Sequence, residues 1–178
     1  YAVEIDFKRV TTSGGVLATS GPGRASGFPG KKKTVKGGNM TIYDKTMKTD
    51  KSGNLDTIIH EIFHILGLGS LWGDFYTNDK YLNGRFYQGP DSSRALREYR
   101  ELGGSEYISI PLDSIKGHII PNSLRDSQFF ECPGIPNEIN NPMSKPNQKL
   151  SKISTGMLED LGFTVNHSMA NYTQSDFD

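Results

Sequence analysis

A single cysteine, Cys132, occurs in 178 residues, so no internal disulfide can form and the redox compartment is left open. No apolar run approaches the roughly 20 residues that a membrane-spanning helix needs, and no signal peptide is visible. Charge of one sign is also missing. The 20 basic and 20 acidic residues cancel, which removes the electrostatic footprint of a nucleic-acid binder. Hydrophobic residues make up only 34% of the chain, while Gly numbers 20 and Pro 9, a composition of many loops rather than of a helical bundle. There is no initiating Met: the chain opens directly on a strand-like pattern, as a processed or truncated form would. No internal repeat and no linker divides it, so one domain over residues 1–178 is expected.

Against this background one stretch is chemically dense. Asp56 to Trp72 reads DTIIHEIFHILGLGSLW and contains His60, Glu61 and His64, the H-E-x-x-H spacing of a zinc peptidase. A helix turns about 100° per residue, so imidazoles four apart project from one face and can share one Zn²⁺. Glu61, between them, can then reach a metal-bound water. Leu55, Ile58, Ile59, Ile62, Phe63 and Leu66 recur at helical spacing on what reads as the opposite, buried face. Gly67 and Gly69 are candidates to end the helix, Asn54 to cap its start, and Trp72 to anchor the core below it.

Elsewhere the pattern is plainer. Residues 2–10 alternate Val3, Ile5 and Phe7 with Glu4, Asp6 and Lys8, the mark of a half-buried strand, and Val16 to Thr19 is a short second one. Residues 21–38 are rich in Gly, Pro, Ser and Lys and read as loop, with Lys31, Lys32, Lys33 and Lys36 taken as solvated charges rather than an anion site. Asn39 to Asp44 is β-prone. Beside a metal it can bind an extended substrate through its main chain, or it is an ordinary sheet strand. Residues 74–89 read as loop, 92–102 as a helix closed by Gly103, and 107–112 as an extended segment. Ser151 caps a last helix whose apolar side is Ile153, Met157, Leu158 and Leu161, ended by Gly162, and 166–178 is a polar tail.

Two histidines do not complete a catalytic zinc site, which usually has three protein ligands and a water. The position three residues after Gly67, where a metzincin has its third His, is Ser70. The chain nevertheless resembles the leishmanolysin family, especially its shorter microbial members. The matching stretches are His60 to Gly67, then Gly69-Ser70-Leu71-Trp72, Asn137-Glu138-Ile139 leading to Met143, and Leu150-Ser151 through Leu158 to Phe163. Gly14 to Ala18 with Gly21-Pro22 is similar to an upstream segment of those proteins.

The resemblance implies a metzincin-like α+β fold: a twisted, mostly parallel sheet carrying the active-site helix (residues 1–69) above an irregular C-terminal lobe (70–178). It implies a zinc endopeptidase with His60 and His64 as ligands, Glu61 as general base, and Met143 as an apolar floor beneath the metal. It further implies a helix and strand before Tyr1, an extracellular or cell-surface setting, and two partners: a protein or peptide substrate, and the removed N-terminal segment still docked. The third ligand departs from the family pattern. Gln128 has the nearest spacing but is a poor zinc ligand. His118, after Gly117, is the preferred candidate, with Gln128 or an incomplete site as alternatives. His167 reads as a surface residue. The rival function is a catalytically weak or silent relative acting as a structural or binding subunit, motivated by the displaced ligand and by the absent N-terminal segment.

Overall fold

The computed structural model describes residues 3–11, 18–26, 34–43, 51–72, 76–79, 84–90, 92–103, 109–113, 117–121, 133–142 and 147–177. Lys31 to Lys33, Gln128, Cys132 and Met143 lie outside these residues. The described chain is mixed α+β. Strands β1 (Glu4–Val10), β2 (Ala18–Ser26) and β3 (Thr34–Tyr43) precede helix α1 (Lys51–Leu66). Then come β4 (Tyr76–Asp79), β5 (Gly84–Tyr87), helix α2 (Arg94–Glu101), β6 (Ile110–Leu112) and helix α3 (Lys152–Asp160). A 3₁₀ turn at His167–Met169 and the short helix α4 (Gln174–Phe177) follow.

The first sheet has the order β1-β3-β2. It is mixed rather than mostly parallel: β1 runs parallel to β3, and β2 antiparallel to it. The reason is the short connection from Ser26 to Thr34, which returns the chain alongside itself instead of crossing over a helix. That return also converts much of the expected loop at 21–38 into strand. Pro22 and Gly23 are tolerated because β2 is an edge strand whose register shifts between Pro22 and Arg24. β3 is paired on both sides and is therefore the ordinary sheet strand, with no free edge for a substrate.

Helix α1 lies across β2 and β3 and leaves β1 largely uncovered. Phe7 is accordingly 62% exposed, so β1 is not the half-buried strand its alternation predicts. The approach of α1 to the sheet is close: a Cβ on Gly38 would sit 2.6 Å from Ile65 Cγ2. Ile65, Met40 and Val35 are fully buried around this contact. The helix starts at Lys51, so Asn54 lies inside it rather than at its cap. Its buried side also differs from expectation. Leu55 is exposed, whereas His60 and Glu61 are buried. The packing of a sheet on one side and a lobe on the other buries α1 over more than an apolar stripe.

The second sheet, β4-β5-β6, is antiparallel and occupies part of the stretch expected to be loop. Its core joins α1 to the rest of the chain: Phe63 and Leu68 pack with Trp72, Tyr87, Ile110, Ile119, Ile135, Ile153 and Met157. Trp72 is the core anchor, its ring 5.3 Å from that of Tyr87. Helices α2 and α3 begin on serine caps, Ser93 accepting from Leu96 N and Ser151 from Ser154 N. The expected polar tail is tied down: Tyr172 is buried, its hydroxyl donating to Pro136 O at 2.9 Å. His167 is held against α3, its ring nitrogens facing Thr155 Oγ1 at 2.9 Å and Glu159 Oε2 at 3.2 Å.

Candidate metal centre

Helix α1 ends in a Schellman motif. Gly67, at φ +113°, donates its N–H to His64 O at 3.1 Å, and Leu68 N donates to Phe63 O at 2.9 Å. The buried pair Phe63 and Leu68 supplies the apolar contact that accompanies this motif. The turn has a direct consequence for the site. Leu68 O, aimed back at the helix, accepts the Nδ1–H of His64 at 2.8 Å. Ser70, at the position of a short-spaced third ligand, donates its hydroxyl to His64 O at 2.8 Å instead.

His60 is oriented from the other side of the cavity, where its Nδ1 meets Ile139 O at 2.7 Å. Ile139 belongs to a turn built on buried polar groups. The Glu138 carboxylate accepts from Ser151 Oγ at 2.9 Å and from the N–H groups of Ser151 and Asn140. Asn141 Nδ2 donates to Ile119 O at 3.0 Å, and Ile119 N to Asn140 O at 3.2 Å. The same turn thus grips the neighbour of His118. His118 itself is fixed by Asp113: Nδ1 lies 2.6 Å from Asp113 Oδ2, while Asp113 Oδ1 accepts from Gly117 N at 2.9 Å. Burial pushes the Asp113 carboxyl up, but the His118 ring and these backbone donors outweigh it and hold the group below its ordinary value.

The result is convergence. His64 Nε2 is 3.0 Å from His60 Nε2 and 3.1 Å from His118 Nε2, although 54 residues separate His64 from His118. The three ligand atoms lie within 4.8 Å of one another, close enough to bind a metal ion. Their tautomers explain what the cluster asks for. On His60 and His64, Nδ1 faces a carbonyl oxygen, which has no proton to give, so Nδ1 carries the hydrogen and Nε2 presents a lone pair. With Nε2 unprotonated, neither of these two rings can donate to the other, and a cation placed between them can accept both lone pairs. Both rings are kept neutral: burial, reinforced at His60 by its neighbour His64, lowers the pKa of His60 to about 3, and burial lowers that of His64 to about 4. The donor set fits a metal.

Glu61 lines the same cavity and is 6% exposed. Burial raises its pKa, against the hydrogen bond from Ser20. That bond runs from Ser20 Oγ to Glu61 Oε2 at 2.6 Å. The cavity, about 530 Å³, is otherwise walled by Ala18 and Thr19 of the edge strand β2 and by Gly69, Gly117 and Pro142. Sequence reading found His60, Glu61, His64 and His118, and the structure brings all four to one cavity. It missed Ser20 and Asp113, and it singled out Asn137-Glu138-Ile139 without the contact of Ile139 O with His60; these roles arise from contacts between separate segments. No protein-family model matches this chain, and comparison with curated protein sequences returns no significant match.

Proposed function

We propose that the chain is a zinc-dependent endopeptidase of the leishmanolysin-like, metzincin type. The observation that carries this reading is the meeting of three imidazole Nε2 atoms with a buried carboxylate in one open cavity. A tetrahedral Zn²⁺ with bonds of 2.0–2.1 Å has ligand nitrogens about 3.4 Å apart. The 3.0 and 3.1 Å separations seen between the histidines are close to that spacing. Three protein ligands with one open position is also the count of a catalytic rather than a structural zinc. The motif resemblance from His60 to Gly67 supports the same assignment.

His60, His64 and His118 would hold the metal, each through Nε2, with their Nδ1 atoms locked by Ile139 O, Leu68 O and Asp113. Zn²⁺, when bound, supplies a Lewis acid that lowers the pKa of a water and polarises the scissile carbonyl. Glu61 takes the proton of the attacking water and returns it to the leaving amine. The burial that raises its pKa makes the carboxylate a stronger base than an exposed one. Ser20 keeps the carboxylate from rotating away. No side chain becomes covalently attached to substrate.

The rival reading, a silent binding subunit, rests on the displaced third ligand and on the expected N-terminal segment that the sequence does not contain. His118 answers the first point by reaching the pair on α1. Replacement Glu61→Ala decides the matter: metal content stays near one per chain while cleavage of unfolded protein substrates is lost. Unchanged turnover in that variant would remove Glu61 from the mechanism, and a folded wild-type chain without peptidase activity would return the binding subunit to first place.

A further inference from the structure

The third histidine arrives from far along the chain, and the place where its segment meets α1 is unusually tight. Gly69, at φ +75°, sits in the turn after the helix. A Cβ on Gly69 would lie 2.2 Å from Gly117 O, 2.7 Å from Gly117 Cα and 2.8 Å from Gly117 C. All are well inside the roughly 3.5 Å at which such atoms touch. Because they are main-chain atoms, no rotamer change relieves the overlap. The backbone carrying His118 would have to withdraw.

Withdrawal is obstructed on the other side. Ile119 N donates to Asn140 O at 3.2 Å, and Asn141 Nδ2 to Ile119 O at 3.0 Å, so the segment is clamped between Gly69 and the 139–141 turn. Relieving the overlap needs a shift of about 1 Å, whereas metal–ligand distances tolerate about 0.2 Å. His118 is the residue next to the contact. We propose that Gly69 is a positioning residue for the third ligand: its missing side chain is what admits His118 to the pair on α1. The proposal rests on the metal-centre reading above.

Gly103 provides the control. It too has positive φ, +83°, but a Cβ there would meet only Phe177 Cε1, at an ordinary 3.6 Å, and it lies outside the histidine cavity. Zn²⁺ affinity of the full chain is measured by chelator competition, with Co²⁺ absorption reporting the ligand field and circular dichroism the fold. Gly69→Ala is expected to bind roughly 100-fold more weakly, as His118→Ala does, because one ligand is displaced. The double variant Gly69→Ala/His118→Ala should be no weaker than His118→Ala alone, since both changes remove one interaction. Gly103→Ala should stay within about threefold of wild type, with an unchanged Co²⁺ spectrum. Gly69→Asn, which tolerates a left-handed backbone, carries the test if Gly69→Ala does not fold. Wild-type affinity in the Gly69 variants, or losses that add in the double variant, would overturn this proposal alone. A folded wild-type chain that takes up no metal would overturn the metal centre and this proposal together.

Discussion

Ser20 Oγ lies 2.6 Å from Glu61 Oε2 and 2.7 Å from Glu61 O, joining the edge strand β2 to α1 across 41 residues. A hydroxyl has one proton, so only one of these oxygens receives it at a time, and the ionised carboxylate is the stronger acceptor. Hydrogen bonds to charged groups are worth about 1.5–3 kcal/mol. Ser20→Ala should therefore lower kcat roughly 10- to 100-fold, with KM and bound zinc little changed. Steady-state kinetics beside metal analysis would check this; a change confined to KM would assign Ser20 to substrate binding instead.

Asp113 stands to His118 as the carbonyl groups of Ile139 and Leu68 stand to His60 and His64, with a full negative charge added. Such partners fix the tautomer and orientation of the ring. Asp113→Ala should weaken Zn²⁺ binding by roughly 10- to 100-fold. The effect should exceed the accompanying loss of thermal stability in the metal-free protein. Equal zinc affinity in wild type and variant would show that the segment holds His118 without its carboxylate.

Glu138 is fully buried and receives hydrogen bonds from Ser151 and Asn140. Burial raises its pKa. Glu138→Ala leaves these donors without an acceptor, at about 1–3 kcal/mol each. Urea unfolding should show a loss of about 3 kcal/mol or more. Because Ile139 O rides on the same turn, zinc affinity should fall as well. A stability loss with intact zinc binding would separate the turn from the metal site.

The metal-free protein should be acid-sensitive in a specific window. The folded-state values of about 3 for His60 and about 4 for His64 lie below the ordinary 6.5. Below pH 6.5 the unfolded chain takes up protons that the folded rings refuse, so this stability is complete above that pH and declines as pH falls toward about 4 and 3. Each ring contributes a slope of up to about 1.4 kcal/mol per pH unit. Glu61, Glu138 and Asp160, raised by burial, act in the opposite direction. The measurement is therefore the stability of wild type relative to His60→Asn, both with chelator. That difference should shrink as pH is lowered, and a pH-independent difference would contradict the burial of a neutral His60.

The legible parts of this protein were those written in local periodicity and local turn chemistry. His60, Glu61 and His64 share a helix, and i,i+4 spacing alone places two imidazoles on one side of it. Ser151 and Gly162 bound α3 because a hydroxyl can cap and a glycine can take φ +101°. Strand β2 was misread because Gly and Pro mark turns locally, yet an edge strand with a bulge accepts them. The exposure of Phe7 and the burial of Glu61 likewise depend on where α1 lies, which no neighbour in sequence dictates.

The sequence by itself determined the kind of chemistry available: two imidazoles and a carboxylate in fixed spacing, with one further histidine suited to join them. Tertiary structure alone decided that His118 does so, that Asp113, Ile139 O and Leu68 O choose the tautomers, and that Ser20 holds Glu61. The physical reason is range. Spacing along a helix is set by bonded geometry over one turn, whereas a histidine 54 residues away is placed by steric fit and hydrogen bonds between segments that meet only in the folded chain.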